Sequence, residues 1–165
     1  MALAGCATSG SPGSPTTAGG SSAASTPSPK GAGADEMTSI PKDCLDASEV
    51  SALVAFTVAT PIVSSDADTL SCTYIAGSDY SKTIEINFQM APAGTTSASL
   101  QAQLKSSAAA NASIAPVPGF GRAAFASSDS TGAGILVWSG DIEFNVSGQT
   151  TLQGVELVAK DVLAG

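Results

Sequence analysis

Between Ala7 and Ala34 the chain is built of Ser, Thr, Gly, Ala and Pro, with Lys30 the one departure. No hydrophobic period runs through this stretch, and Pro12, Pro15, Pro27 and Pro29 interrupt any helix. A segment of this kind buries too little apolar surface to offset the entropy of ordering its backbone, so it reads as a spacer. Residues 7–39 are accordingly expected to form a disordered linker with a root-mean-square span of about 30 Å. The remaining residues, about 130 in number, suit one domain around one core, expected over 40–165.

Ahead of the spacer stands Leu3-Ala4-Gly5-Cys6, a small aliphatic run ending in Cys. This is the pattern of bacterial lipoprotein processing, in which the thiol takes a diacylglyceryl group and cleavage makes that Cys the new N-terminus. Residues 1–6 are therefore expected to be the remnant of a lipoprotein signal, with Cys6 as the lipid attachment site. A secretory signal also needs a basic region and an apolar region of about 7–15 residues. Only Met1 to Gly5 precede Cys6, so those regions are expected upstream of this sequence, lost through a late start or through trimming. The expected location is extracytoplasmic, anchored to the cell membrane through the lipid on Cys6. No apolar run approaches the ~20 residues of a transmembrane helix.

Charge and composition narrow the function classes. The net charge is −8, with all fourteen acids from Asp35 onward. An acidic surface repels phosphate backbones, so nucleic acid is not expected as a partner. There is no His, which excludes Ser-His and Cys-His nucleophile arrangements and His-ligated metals. No metal and no cofactor is expected. With Cys6 set aside, Cys44 and Cys72 are an even pair for which a disulfide is the default in an oxidising compartment. Two buried free thiols in a reducing compartment are the alternative.

Along the domain, Asp46 or Ser48 caps a predicted helix through about Val54, with Glu49 in its first turn. Phe56 to Val63 is apolar and β-branched, and Pro61 marks it as an edge strand or a bulge. Ser64 to Asp68 reads as a turn and Ser71–Ile75 as a strand. In Thr83–Met90, Ile84, Ile86, Phe88 and Met90 alternate with polar residues, the clearest strand period in the sequence; it implies one covered and one wet face. Ser97 to Ala110 has helical composition with Leu100 and Leu104 at i, i+4. Arg122–Ala126 reads as a strand, and Ile135–Trp138 and Ile142–Val146 as a hairpin around Ser139-Gly140-Asp141. Leu152, Val155, Val158, Ala159 and Val162 give a terminal helix an apolar stripe, with Glu156 expected to pair with Lys160. The fold class is α+β, an antiparallel β-sheet with helices packed on one face, in a single domain after the linker.

Taken together, Asp43-Cys44-Leu45 before the capped helix, Cys72-Thr73-Tyr74, the block from Val117 to Phe125 and the Gly140-Asp141 hairpin before a terminal helix form a recognisable series. It resembles a domain-of-unknown-function family of actinobacterial, notably mycobacterial, secreted lipoproteins over about residues 40–165. The resemblance implies an extracytoplasmic α+β domain similar in layout to small sensor or ligand-binding domains, and the Cys44–Cys72 pairing fits it. It brings no catalytic residues. Members often carry an acidic residue where this chain has Arg122.

Several groups invite a chemical reading. Asp66-x-Asp68 has the start of a calcium loop but lacks the Gly and closing Glu of an EF-hand, which favours a solvated turn. Asp141 and Glu143 could imitate a glycosidase pair, although alternation on a wet strand face accounts for them equally. The loop from Pro116 to Arg122 is the best candidate for contact: rigidly positioned loops carry binding, and Phe and Arg favour interface centres. Its expected partner or ligand contacts are Val117, Pro118, Phe120 and Arg122, set against a tight turn at Gly119 and Gly121 with Phe120 plugging the core. The expectation is a non-enzymatic binding or accessory module of the cell envelope, contacting an envelope protein or a small ligand. The alternatives are a cell-wall glycan hydrolase using Asp141 and Glu143, or a purely structural accessory subunit.

Overall fold

A computed structural model of the chain describes residues 36–77 and 80–165. The Leu3–Cys6 pattern, the expected lipid site at Cys6 and the expected linker up to residue 35 lie outside the described residues.

Seven strands form a single antiparallel sheet in the order β1-β2-β3-β7-β6-β5-β4. They are β1 (Ile62–Ser65), β2 (Thr69–Ile75), β3 (Thr83–Met90), β4 (Ser113–Pro116), β5 (Ala123–Ser128), β6 (Ala133–Ser139) and β7 (Ile142–Gly148). Two meanders, β1-β2-β3 and β4-β5-β6-β7, meet where β3 pairs with β7. The crossover from β3 in the middle to β4 at the edge carries helix α2 (Ser97–Ser107). Helix α1 (Ala47–Val54) precedes the sheet and α3 (Leu152–Ala164) ends the chain.

The expected α+β architecture is present, and the register decides which face each helix covers. Alternate residues of β2, β3 and β7, among them Cys72, Tyr74, Ile84, Ile86, Phe88, Phe144 and Val146, point to a front face. There they pack with Val50 and Val54 of α1 and Val155, Val158, Ala159 and Val162 of α3. Helix α2 lies on the back face, where Leu100 and Leu104 form a smaller cluster with Phe125 and Leu136. The physical reason is that β5 and β6 are apolar on both sides, so their reverse also has to be covered.

Local chemistry sets the element ends. The Asp46 amide donates to the Glu49 carboxylate at the start of α1, and Ala55 leaves that helix in the left-handed region with φ 61°. Thr96 and Thr151 accept from the amides of Ser99 and Gly154, capping α2 and α3. Cys44 is disulfide-bonded to Cys72, tying the entry of α1 to β2.

Some local expectations are corrected. The Phe56–Val63 stretch is not one strand: Val58 makes an isolated bridge to Ala76, and β1 begins only after Pro61, which has no amide to donate. Ser64 and Ser65 belong to β1, and the turn proper is Asp66–Asp68, closed by the Asp68 amide donating to Asp66. Ser113–Pro116, unassigned from sequence, forms the far edge β4. Glu156 and Lys160 form no salt bridge, since the ion pair among the described residues is Arg122–Glu36; Lys160 instead stands 5.8 Å over the Phe120 ring.

Candidate functional site: a polar trough on the back of the sheet

Helix α2 packs on β5 and β6, reaches β7 through Gln103, and leaves the rest of the back of β2, β3 and β7 open. The result is an open trough of about 820 Å³ between the helix and the bare strands. Antiparallel register lays its floor in rows. Ser71, Asn87 and Asn145 stand side by side across β2, β3 and β7. Glu85 and Ser147 form the next row toward the Asp129–Gly132 turn, and Gln89 pairs with Glu143 on the other side. The front-face alternates of the same strands are apolar, so the sequence period that builds the core also makes this floor polar.

At one end of the floor Glu143 is buried, with 2 % of its surface exposed. Its Oε1 accepts from the side-chain amides of Gln89 at 2.8 Å and Gln103 at 2.6 Å. The first amide comes from the neighbouring strand and the second from α2, so the helix is tied to the floor through a carboxylate. At the opposite end Asp129 lines the mouth and accepts from the Thr131 hydroxyl and from the amides of Thr131 and Gly132. Those donors, the Thr131 hydroxyl first, hold its carboxyl below the usual range. Among the described residues Glu85, Asp129 and Glu143 line the trough, and no Lys or Arg does.

Asp141 and Glu143 do not share a site. Asp141 is exposed in the β6–β7 turn, its amide donating to the Met37 carbonyl, and it does not line the trough. Glu143 was read as one of a pair on a wet face, and the structure corrects this: that part of the back face is closed by Gln89 and by Gln103 of α2.

The Pro116–Arg122 loop is held to the domain. The Val117 amide donates to Ala124 and the Arg122 amide to Trp138, while Gly119 and Gly121 take φ of 87° and 46°. Phe120 is buried in the front core, Val117 packs half-buried against that core, and Pro118 is exposed. Arg122 makes a two-pronged ion pair with Glu36 and lies 5.4 Å over the Trp138 ring. The two side chains whose types favour interface centres are thus engaged within the chain. Residues 36–39, assigned to the linker by composition, are partly strapped to the β6–β7 hairpin: the Met37 amide donates to the buried Ser139 hydroxyl, and a side chain at Gly140 would fall on the Met37 carbonyl.

Gln89, Gln103 and Asn87 were not singled out from sequence, and Asn145 was not read as part of a binding site. The available signal was the amide-rich character of the polar alternates in β3 and β7. What was missing was the position of α2, which makes a trough of an otherwise flat polar face. Among the described residues no group of three or more His, Cys, Asp and Glu is placed to hold a metal ion, and no helix is long and apolar enough to cross a membrane. Comparison of the chain with models of protein families, with curated proteins and with solved structures found no match.

Proposed function

We propose that this chain is a lipid-anchored, extracytoplasmic, non-enzymatic module of the cell envelope that binds a small polar ligand in the back-face trough. The observation that carries the reading is the trough itself, whose volume falls within the ~300–1,000 Å³ typical of small-molecule sites and whose polar groups converge from two strands and a helix. The Cys44–Cys72 disulfide supports an oxidising compartment. The Leu3–Cys6 pattern and the spacer support a tether at Cys6.

The floor favours binding over turnover. Glu85 lies four residues from the Gln89–Glu143 pair, about 14 Å along the sheet at ~3.4 Å per residue, beyond the ~5–9.5 Å that separates a glycosidase pair. No His is available to activate a hydroxyl.

Two measurements test the reading. The chain, expressed behind a lipoprotein signal in a bacterial host, should incorporate labelled fatty acid and lose the label on Cys6→Ser; label that survives the substitution ends the anchoring assignment. In an NMR titration of the full chain with a panel of small amines, sugars and carboxylates, at least one member should shift Asn87, Asn145 and Ser147. A panel that leaves these signals still removes the trough as the binding site.

A further inference from the structure

Resting on the trough as the binding site, we propose that its ligand is a cationic amine, a small polar molecule carrying protonated primary amino groups of which one pairs with Glu143. Glu143 is 98 % withdrawn from solvent, and only its Oε1 is occupied, by two neutral amide donors. Its Oε2 has no hydrogen-bond partner among the described residues. No fully sealed side-chain oxygen there lacks a partner, so Oε2 keeps contact with solvent on the trough side. A carboxylate this far withdrawn from water calls for a positive charge, and the described residues place none beside it, their salt bridge being Arg122–Glu36 on the surface.

The rest of the lining selects in the same direction. Glu85 on the floor and Asp129 at the mouth extend the negative charge along the trough, with no basic side chain to offset it. Anions such as phosphates and carboxylates are therefore repelled. An apolar ligand would strip water from Ser71, Asn87 and Asn145 without replacing its hydrogen bonds. A neutral sugar would satisfy these amides but leave the carboxylates unpaired, and among the described residues it would find no exposed ring to stack on, since Phe88 and Phe144, although they border the trough, are buried in the front core. An ammonium group brings three donors and a charge to Oε2, and hydroxyls or further amines on the same molecule meet the polar rows beyond.

Free polyamines and amino-sugar polymers share this chemistry, and the test separates them. The full chain is titrated calorimetrically, at slightly acidic pH, with spermidine, with a glucosamine trimer and with its neutral N-acetylated counterpart, and shifts are mapped by NMR. Expected is trough-localised binding of spermidine or of the glucosamine trimer, weakened by added salt, with the neutral trimer at least tenfold poorer. Whichever of the two cations binds more tightly identifies the source. Glu143→Gln should weaken that binding roughly tenfold or more, in line with a charge-assisted hydrogen bond; Glu85→Gln, on the exposed floor, gives a several-fold loss in a variant whose fold is not at issue. Equal binding of the neutral trimer overturns the cationic assignment and leaves the trough standing as a site. Cation binding indifferent to both substitutions reduces it to diffuse attraction and likewise overturns it. Binding of none of the three, with the wider panel also silent, removes the trough reading and this inference together.

Discussion

Tyr74 sits in the front core under the start of α1, fully buried, and its hydroxyl donates to the Leu45 carbonyl at 2.7 Å. Burial, reinforced by the negative charges of Asp46 and Glu49, pushes its pKa up to about 12 from the ordinary 10.0. The folded state therefore keeps a proton that the unfolded chain releases near pH 10. The stabilisation is complete below that pH and is lost as pH rises toward 12. Tyr74→Phe should cost about 1–2 kcal/mol near neutrality, because the Leu45 carbonyl loses its donor. It should also flatten the fall in stability between pH 10 and 12, which denaturant melts of both proteins across that range would measure. An unchanged slope would place the alkaline loss on other groups.

At the scale of elements, α1 is short and is secured from both ends. Val50 and Val54 enter the core, and Cys44 just before the helix is bonded to Cys72 on β2 across 28 residues of sequence. In the chain-entropy account, closing a loop of that length stabilises by about 3–4 kcal/mol. Replacing both cysteines by serine should lower the unfolding midpoint accordingly. The loss should concentrate on α1, β1 and β2, seen as faster amide exchange there than in β6 and β7. The unmodified protein should show no free thiol from Cys44 or Cys72 when denatured without reductant.

For the whole molecule, the two faces of the sheet carry unequal shares of the packing. The front core joins five strands, β2, β3, β5, β6 and β7, to α1 and α3, whereas α2 is held by Leu100 and Leu104 against Phe125 and Leu136, with the Glu143 hydrogen bonds beside them. Of the three helices α2 is consequently expected to open most easily. Leu104→Ala should cost about 2–4 kcal/mol and raise exchange throughout α2 before β3 or β7 is affected; uniform acceleration over the whole sheet would contradict that division. The sequence by itself determined the α+β class, because a period of two in Thr83–Met90 and Ile142–Val146 and a stripe of 3.6 in α3 are local consequences of backbone geometry. It also made the Cys44–Cys72 disulfide the default expectation, as the even pair left once Cys6 is set aside, and that bond is present. The trough was decided only by tertiary structure. Leu100 and Leu104 announce a helix with one apolar side, and the unbroken run Ile135-Leu136-Val137-Trp138 announces strands covered twice, but joining the two requires knowing that β3 lies inside the sheet and β4 at its far edge. The crossover between them has to traverse the back face, and it is this path that brings Gln103 to Glu143 and leaves the polar rows beside them open.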